Sequence, residues 1–240
     1  MDSRVATQHT GEHVPTLAQE LASMRQRVAA ELPGDVLSAM SDATAALLRS
    51  GRQHKALQPG QHIVDFVLPD ASGHAVASMA LRAAGPLLVT FYRGGWCPYC
   101  NLALRALQRE LPAFTARGVT LVAISPERPD HALALQENHA LAFPVLSDPG
   151  NTVARSFGLV FALPPALRPV YRRLGLDLPG RNGDDSHELP MPGSFLVDRD
   201  GIVGAAAVQA DYRTRLEPAD ALNWIDALLP TMVPPGAKKP

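Results

Sequence analysis

Apolar residues recur at three- and four-residue steps near the start of the chain. From Thr16 to Leu32 this spacing predicts an amphipathic helix, with an apolar face made of Leu17, Leu21, Met24, Val28 and Leu32. Pro33-Gly34 breaks the pattern, and a second helix with a similar face follows up to Ser50-Gly51. Both faces need a surface to bury against. We favour packing within the chain, and a second subunit in a homodimer is the alternative.

Beyond residue 59, short apolar runs alternate with helical segments. The predicted strands are 63–68, 75–77, 86–92, 119–125, 143–147, 193–198 and 202–208. The predicted helices are 78–82, 101–110, 130–140, 152–157, 165–174 and 218–229. The run 119–125 is almost continuously apolar, as expected of a strand buried on both faces. The turn Arg199-Asp200-Gly201 joins the last two strands into a hairpin.

This order of elements predicts an α/β fold, with a mixed central sheet and helices on both faces. The predicted organisation is an N-terminal helical extension over 1–58, a main domain over 59–230 and a tail over 231–240. Residues 1–13 are polar and predicted to be disordered. Residues 159–191 are irregular and rich in Pro, Gly and Arg, and within them 175–190 is predicted to form a long surface loop.

Composition narrows the functional classes. The chain has 240 residues, of which 46% are hydrophobic and 19% charged, as in ordinary globular proteins. The net charge of −1 argues against a basic surface for nucleic acid or anionic membrane. The sequence also lacks an apolar signal core and a membrane-length apolar run. We therefore expect a cytoplasmic protein with neither nucleic acid nor membrane as partner.

Both cysteines of the chain fall in one Cys-x-x-Cys stretch between a predicted strand and a predicted helix. A dithiol at such a junction indicates redox chemistry. A helix that begins near Cys97 directs its free N–H groups and positive dipole end at that sulfur, which favours the thiolate. We therefore predict that Cys97 attacks and that Cys100 forms the disulfide. Pro98 suits the first helical turn, and Trp96 is placed to cover the sulfur pair.

Two other interpretations of the pair are open. In the first, the cysteines are two small buried apolar residues. In the second, they are ligands of a zinc ion. A structural zinc site needs four ligands, and the sequence holds no second Cys-x-x-Cys pair. We therefore expect neither a metal nor a cofactor.

Three polar residues nearby have alternative roles. Arg93 is expected either to lower the pKa of Cys97 or bind an acidic substrate group, or to be a solvated residue at a strand end. Ser125 and Glu127 follow a predicted strand and should lie at the edge of the site. For Glu127 we favour a surface carboxylate over a proton carrier.

The motif resembles known families. Trp96-Cys97-Pro98-Tyr99-Cys100 is similar to thioredoxin-fold active sites, and Cys-Pro-Tyr-Cys is the form found in glutaredoxins. The wider pattern resembles the peroxiredoxin-like branch of the AhpC/TSA superfamily, in the segments 91–101, 123–127, 143–149 and 192–201. The resemblance implies a thioredoxin-like fold over 59–230. It also implies an enzyme that acts on a peroxide or disulfide substrate and is reduced by thioredoxin, glutaredoxin or glutathione.

The chain departs from the family pattern in an informative way. Aligning the peroxiredoxin motif Pro-x-x-x-Thr-x-x-Cys on Cys100 puts Arg93 at the Pro position and Cys97 at the Thr position. The family's arginine position falls on Pro192. The thioredoxin resemblance then implies a cis Met191–Pro192 bond packed against the Cys97 sulfur.

These departures favour dithiol–disulfide exchange over peroxide reduction. A redox sensor or binding module with little turnover is the alternative function. The supporting or substrate-binding residues are predicted to be Arg93, Trp96, Pro98, Tyr99, Met191 and Pro192.

Overall fold

A computed structural model describes residues 15–232, with side chains described as far as residue 228. The predictions for residues 1–13 and for the tail beyond residue 232 lie outside this part. The helices are α1 (Leu17–Glu31), α2 (Gly34–Arg49), α3 (Ser78–Ala84), α4 (Pro98–Ala116), α5 (Pro129–Asn138), α6 (Thr152–Ser156), α7 (Leu167–Arg173), α8 (Leu178–Asn182) and α9 (Pro218–Met232). The strands are β1 (Val67–Pro69), β2 (Ala75–Ala77), β3 (Leu87–Phe91), β4 (Thr120–Ser125), β5 (Val145–Ser147), β6 (Val160–Ala162), β7 (Glu188–Pro190), β8 (Gly193–Val197) and β9 (Val203–Val208).

A five-stranded mixed sheet in the order β5-β4-β3-β8-β9 forms the centre of the fold. Strands β3, β4 and β5 are parallel, whereas β8 runs antiparallel to both β3 and β9. Along β4, Leu121 and Ala123 join the core cluster that contains the α4 side chains, while Val122 and Ile124 join a second core cluster. This alternation confirms an α/β sheet buried on both faces.

Helix α1 packs on the main domain. Thr16 and Gln19 form a capping box at its start, and the Glu217 carboxylate accepts a hydrogen bond from the Leu17 N–H at 3.3 Å. A carboxylate at this helix end also interacts favourably with the helix dipole. Leu17 and Leu21 are buried in the core cluster that contains α4. The first helix therefore buries its apolar face within the chain.

The segment 175–190, predicted to be one long surface loop, contains a helix and a strand, so that prediction is wrong. It contains α8 and also β7, which pairs with β6 as a two-stranded antiparallel sheet. Leu178 and Leu189 are buried with Tyr171 in a third core cluster, against which α2 also packs. The apolar residues of this segment recur at neither helical nor strand spacing. The sequence pattern therefore did not indicate that they are buried.

The predicted strand over 63–68 is also shorter than expected. Only Val67–Pro69 forms a strand, and it pairs with β2. Among residues 15–232, no helix combines the length and the apolar character that crossing a membrane requires.

We predict that Leu21→Ala lowers the free energy of unfolding by about 2–4 kcal/mol, because it leaves a cavity between α1 and α4. Leu21 is only 4% exposed. Urea unfolding measured by circular dichroism tests this. Leu48→Ala is the matched control, since Leu48 lies on α2 and is 45% exposed, and we expect a change within about 0.5 kcal/mol. Equal small effects of both substitutions would contradict the packing of α1 on the core.

Candidate active site

The two cysteines lie where β3 ends and α4 begins. Cys97 is the residue before the helix, in an extended conformation, and Pro98 takes the first helical position. The Cys97 carbonyl accepts hydrogen bonds from the N–H groups of Cys100 at 2.9 Å and Asn101 at 3.1 Å. Cys100 is therefore in the first turn of α4. Both residues are present as free thiols rather than a disulfide.

A positively charged side chain contacts one sulfur of the pair. Nη2 of Arg215 lies 3.1 Å from Sγ of Cys100. The guanidinium is held in place because its Nη1 donates to the Tyr212 and Thr214 carbonyls. The cysteines are 1% and 0% exposed, for Cys97 and Cys100 respectively. Water therefore screens this contact little.

The surroundings separate the acidities of the two thiols. Burial by itself raises the pKa of Cys100, but a hydrogen bond from Cys97 and the charges of Arg215 and Arg93 lower it well below its ordinary value. For Cys97, burial and the hydrogen bond to Cys100 raise the pKa. The structure thus places a guanidinium against Cys100 rather than Cys97, whereas the sequence alone favoured Cys97 as the thiolate.

Sequence reasoning did not find Arg215. It lies in the segment between β9 and α9, 115 residues from Cys100 along the chain. No motif marks this position, and only the packing of the hairpin and α9 brings it to the dithiol. The family's arginine position is still occupied by Pro192. A guanidinium reaches the sulfur from a different segment.

Arg93 is buried rather than solvated. It is only 3% exposed. Its guanidinium carbon lies 4.9 Å from the ring centre of Trp96 and 4.4 Å from that of Tyr212, both within the range of cation–π attraction. Its Nη2 also donates to the Tyr171 hydroxyl. The alternative of a solvated residue at a strand end is therefore wrong.

Aromatic side chains form the walls of the site. Trp96 packs edge-on against Tyr171 with 5.7 Å between ring centres, and Tyr99 packs in the same way against Tyr212 at 5.6 Å. Tyr171 comes from α7 and Tyr212 from the segment that carries Arg215. These rings surround a cavity of 230 Å³ that Cys97 borders together with Arg93. Pro98 also borders it and is exposed at its surface.

A buried carboxylate fixes the loop before Cys97. Glu127 is fully buried, and its Oε2 accepts the Gly95 N–H at 2.6 Å while its Oε1 accepts Arg181 at 2.9 Å. Burial raises the pKa of Glu127, although both hydrogen bonds oppose this. The expectation of a surface carboxylate is therefore wrong. Gly94 has φ +146°, and a side chain there would collide with Trp96, so the loop requires glycine.

Met191 and Pro192 are buried just before β8, at the sheet edge where β3 ends. The peptide bond between them is trans, as are the other bonds in residues 15–232, so the expected cis bond is wrong. Backbone hydrogen bonds hold this extended stretch, from Met191 N–H to the Leu159 carbonyl at 2.9 Å and from Gln209 N–H to the Pro192 carbonyl at 2.8 Å. Neither residue borders the cavity at Cys97.

Comparison with known proteins gives relatives of two kinds, peroxiredoxins and thiol-disulfide oxidoreductases. A Mycobacterium tuberculosis protein named as a peroxiredoxin is 34% identical over 102 residues, which span 42% of this chain and 64% of that protein, less than two thirds of its length. The thiol-disulfide oxidoreductase ResA of Bacillus thuringiensis is 24% identical over 185 residues, 76% of this chain and 89% of that protein.

Solved structures share the fold. The crystal structure of peroxidoxin BcpB from Mycobacterium tuberculosis matches with a TM-score of 0.58 and 22% identity, over 72% of this chain and 98% of that one. This likeness confirms the predicted thioredoxin-like architecture. The model of the AhpC/TSA family matches residues 59–206, which is more than half of the chain. The chain therefore belongs to the AhpC/TSA family.

Proposed function

We propose that this protein is a thiol-dependent peroxidase in which Cys100 attacks the peroxide and Cys97 resolves the product. One observation carries the assignment, the contact of Arg215 with the buried Cys100 sulfur at 3.1 Å. A thiolate is the nucleophilic form of cysteine, and a neighbouring cation stabilises it. The names of the relatives, peroxiredoxin and thiol-disulfide oxidoreductase, support thiol-dependent redox chemistry.

Burial of the dithiol favours a small oxidant. Exchange with a disulfide of another protein requires that its sulfur approach the attacking thiolate directly. Here both sulfurs are nearly inaccessible, and the space beside Cys97 is a cavity of 230 Å³. A hydroperoxide fits such a space, whereas a protein disulfide does not, and in the proposed reaction the peroxide passes Cys97 to reach Cys100, which does not border the cavity. This reverses the preference for disulfide exchange that the sequence alone gave.

The reaction follows from the two thiols. The Cys100 thiolate attacks the nearer peroxide oxygen, the O–O bond breaks, and the leaving oxygen takes up a proton to give water or an alcohol. Cys100 becomes a sulfenic acid. The Cys97 thiol then attacks that sulfur, an S–S bond forms, and the sulfenic oxygen leaves as water.

Arg215 and Arg93 supply positive charge on the reacting side of the dithiol. Their charges stabilise the thiolate before attack, and they lie close enough to stabilise the negative charge that develops on the leaving oxygen. Arg93 also borders the cavity that leads to Cys97. The same pair of charges thus serves both the nucleophile and the transition state.

Two electrons from an external dithiol, or from two small thiols, return the disulfide to the reduced state. Thioredoxin, glutaredoxin and glutathione are the candidate reductants. We propose a cytoplasmic location, where such reductants keep protein thiols reduced.

We predict that Cys100→Ser abolishes peroxide consumption, because it removes the thiolate. Cys97→Ser keeps the first step, and one equivalent of peroxide is consumed per chain. Dimedone labelling followed by mass spectrometry should then locate the sulfenic acid on Cys100. Turnover with thioredoxin should fall by at least about tenfold when the resolving thiol is absent.

The opposite pattern, with sulfenic acid on Cys97 in the Cys100→Ser variant, would exclude the assigned order of attack. Reduction of insulin disulfides by the wild-type protein is measured in parallel. A rate of insulin reduction that exceeds peroxide reduction would restore disulfide exchange as the main activity.

We predict that Arg215→Gln raises the pKa of Cys100, because the charge that stabilises its thiolate is lost. The ultraviolet absorbance of the thiolate, titrated in the Cys97→Ser background, measures this. Because its pKa is lowered, Cys100 is a thiolate at every pH above that pKa. The rate of peroxide reduction should therefore fall only when the pH drops through that pKa. In Arg215→Gln the fall should begin at higher pH. The rate at pH 7 should drop by about tenfold or more, as expected when a charge-assisted hydrogen bond is lost.

Arg213→Gln is the matched control. Arg213 lies two residues away and pairs with Asp211 at 2.8 Å. Its substitution should leave both the titration and the pH profile near those of the wild type. An unchanged titration in Arg215→Gln would refute the role given to Arg215.

A further inference from the structure

A second cavity lies next to the one at Cys97. It has a volume of 240 Å³ and is bordered by side chains of α2, β6 and α7. We call it the α2–α7 cavity. Four side chains border both cavities and therefore separate them, namely Met40, Arg93, Tyr171 and Tyr212. The α2–α7 cavity does not include either cysteine.

The lining of the α2–α7 cavity combines an apolar wall with positive charge. Most lining residues are apolar, among them Leu47, Phe161 and Leu163. The charged ones are Arg93 at the partition and Arg52, which is exposed at the surface. No Asp or Glu borders the cavity. Apolar cavities of about 150 Å³ take up molecules such as benzene, so this one has room for a short hydrocarbon.

Arg93 is a buried charge without an acidic partner. None of the carboxylates in residues 15–228 forms a salt bridge with it, and its Nε has no hydrogen-bond acceptor. Aromatic faces, the Tyr171 hydroxyl and the charge of Cys100, which Arg93 shares with Arg215, offset only part of the cost of burying a guanidinium. An anion that enters the α2–α7 cavity would meet this charge in a poorly solvated place.

We propose that the α2–α7 cavity binds a small apolar monocarboxylate. Its carboxylate pairs with Arg93, and its hydrocarbon part lies against the apolar side chains of α2 and α7. Arg52 attracts the anion to the surface opening through long-range charge. The cavity includes neither cysteine and shares Arg93 with the cavity at Cys97, and the binding of a carboxylate goes beyond peroxide reduction. Its occupancy is measured with no peroxide present.

Isothermal titration calorimetry of the reduced protein with sodium octanoate tests the site. Octan-1-ol is the matched probe, because it has the same chain without the charge. We expect octanoate to bind at least about tenfold more tightly than octan-1-ol, as expected for a charge-assisted pair in a buried place. In Arg93→Gln the affinity for octanoate should fall to that for octan-1-ol. Equal affinities of the two probes for the wild type would overturn the proposal.

A variant that fills the cavity separates binding from catalysis. Ala46 borders the α2–α7 cavity on the exposed side of α2, so Ala46→Trp blocks the cavity without disturbing the core. Octanoate binding should be lost while peroxide reduction stays at the wild-type rate. Ser38→Trp is the control, since Ser38 is exposed on the same helix and lies outside the cavity. Octanoate should bind this variant as it binds the wild type.

Two other outcomes would count against the site. Wild-type affinity for octanoate in Ala46→Trp would show that the ligand binds elsewhere. Loss of affinity in Arg52→Gln together with normal affinity in Arg93→Gln would place the carboxylate at the surface and overturn the assigned contact. Failure of either kind leaves the peroxidase proposal intact, because the observation that carries it is the contact of Arg215 with Cys100.

Discussion

The contact between the Arg215 guanidinium and the Cys100 sulfur is the interaction on which the site depends. A thiolate buried in a poorly solvated interior is unfavourable unless a cation lies beside it. Arg215 lies in the segment between β9 and α9, whose position is set by the hairpin and by the packing of the last helix. The same segment includes Glu217, which caps α1. The position of the Arg215 charge at the dithiol thus depends on the packing of both α1 and α9.

The chain keeps the frame of the AhpC/TSA family but arranges its charges differently. The position of the family's arginine holds Pro192, and the threonine position holds Cys97. Arg215 and Arg93 bring positive charge to the sulfurs from other directions. A thiolate is stabilised by any positive charge within a few ångströms, whichever part of the chain carries that charge. An arginine from a different segment can therefore replace the family's arginine.

Elements outside the family match help to close the site. Helices α1 and α2 precede residue 59, where the match begins. Val28 of α1 and Met40 of α2 nevertheless border the cavity at Cys97, and Tyr171 of α7 completes its wall. These side chains limit access to a space suited to small molecules. The N-terminal helices therefore contribute to the wall of the cavity at Cys97 as well as to the core.

The sequence by itself determined the local features of this protein. Periodicity predicted α1, α2, the buried strand β4 and the final hairpin, and the spacing of Cys97 and Cys100 identified the redox dithiol at a strand–helix junction. Only the tertiary structure decided which sulfur a guanidinium contacts, that Glu127 and Arg93 are buried, and that Met191–Pro192 is trans. Helices and strands depend mainly on residues close in sequence, whereas the pKa of a buried thiol depends on the charges that tertiary packing places near it. Arg215 reaches Cys100 across 115 residues of chain, a contact that no short pattern encodes.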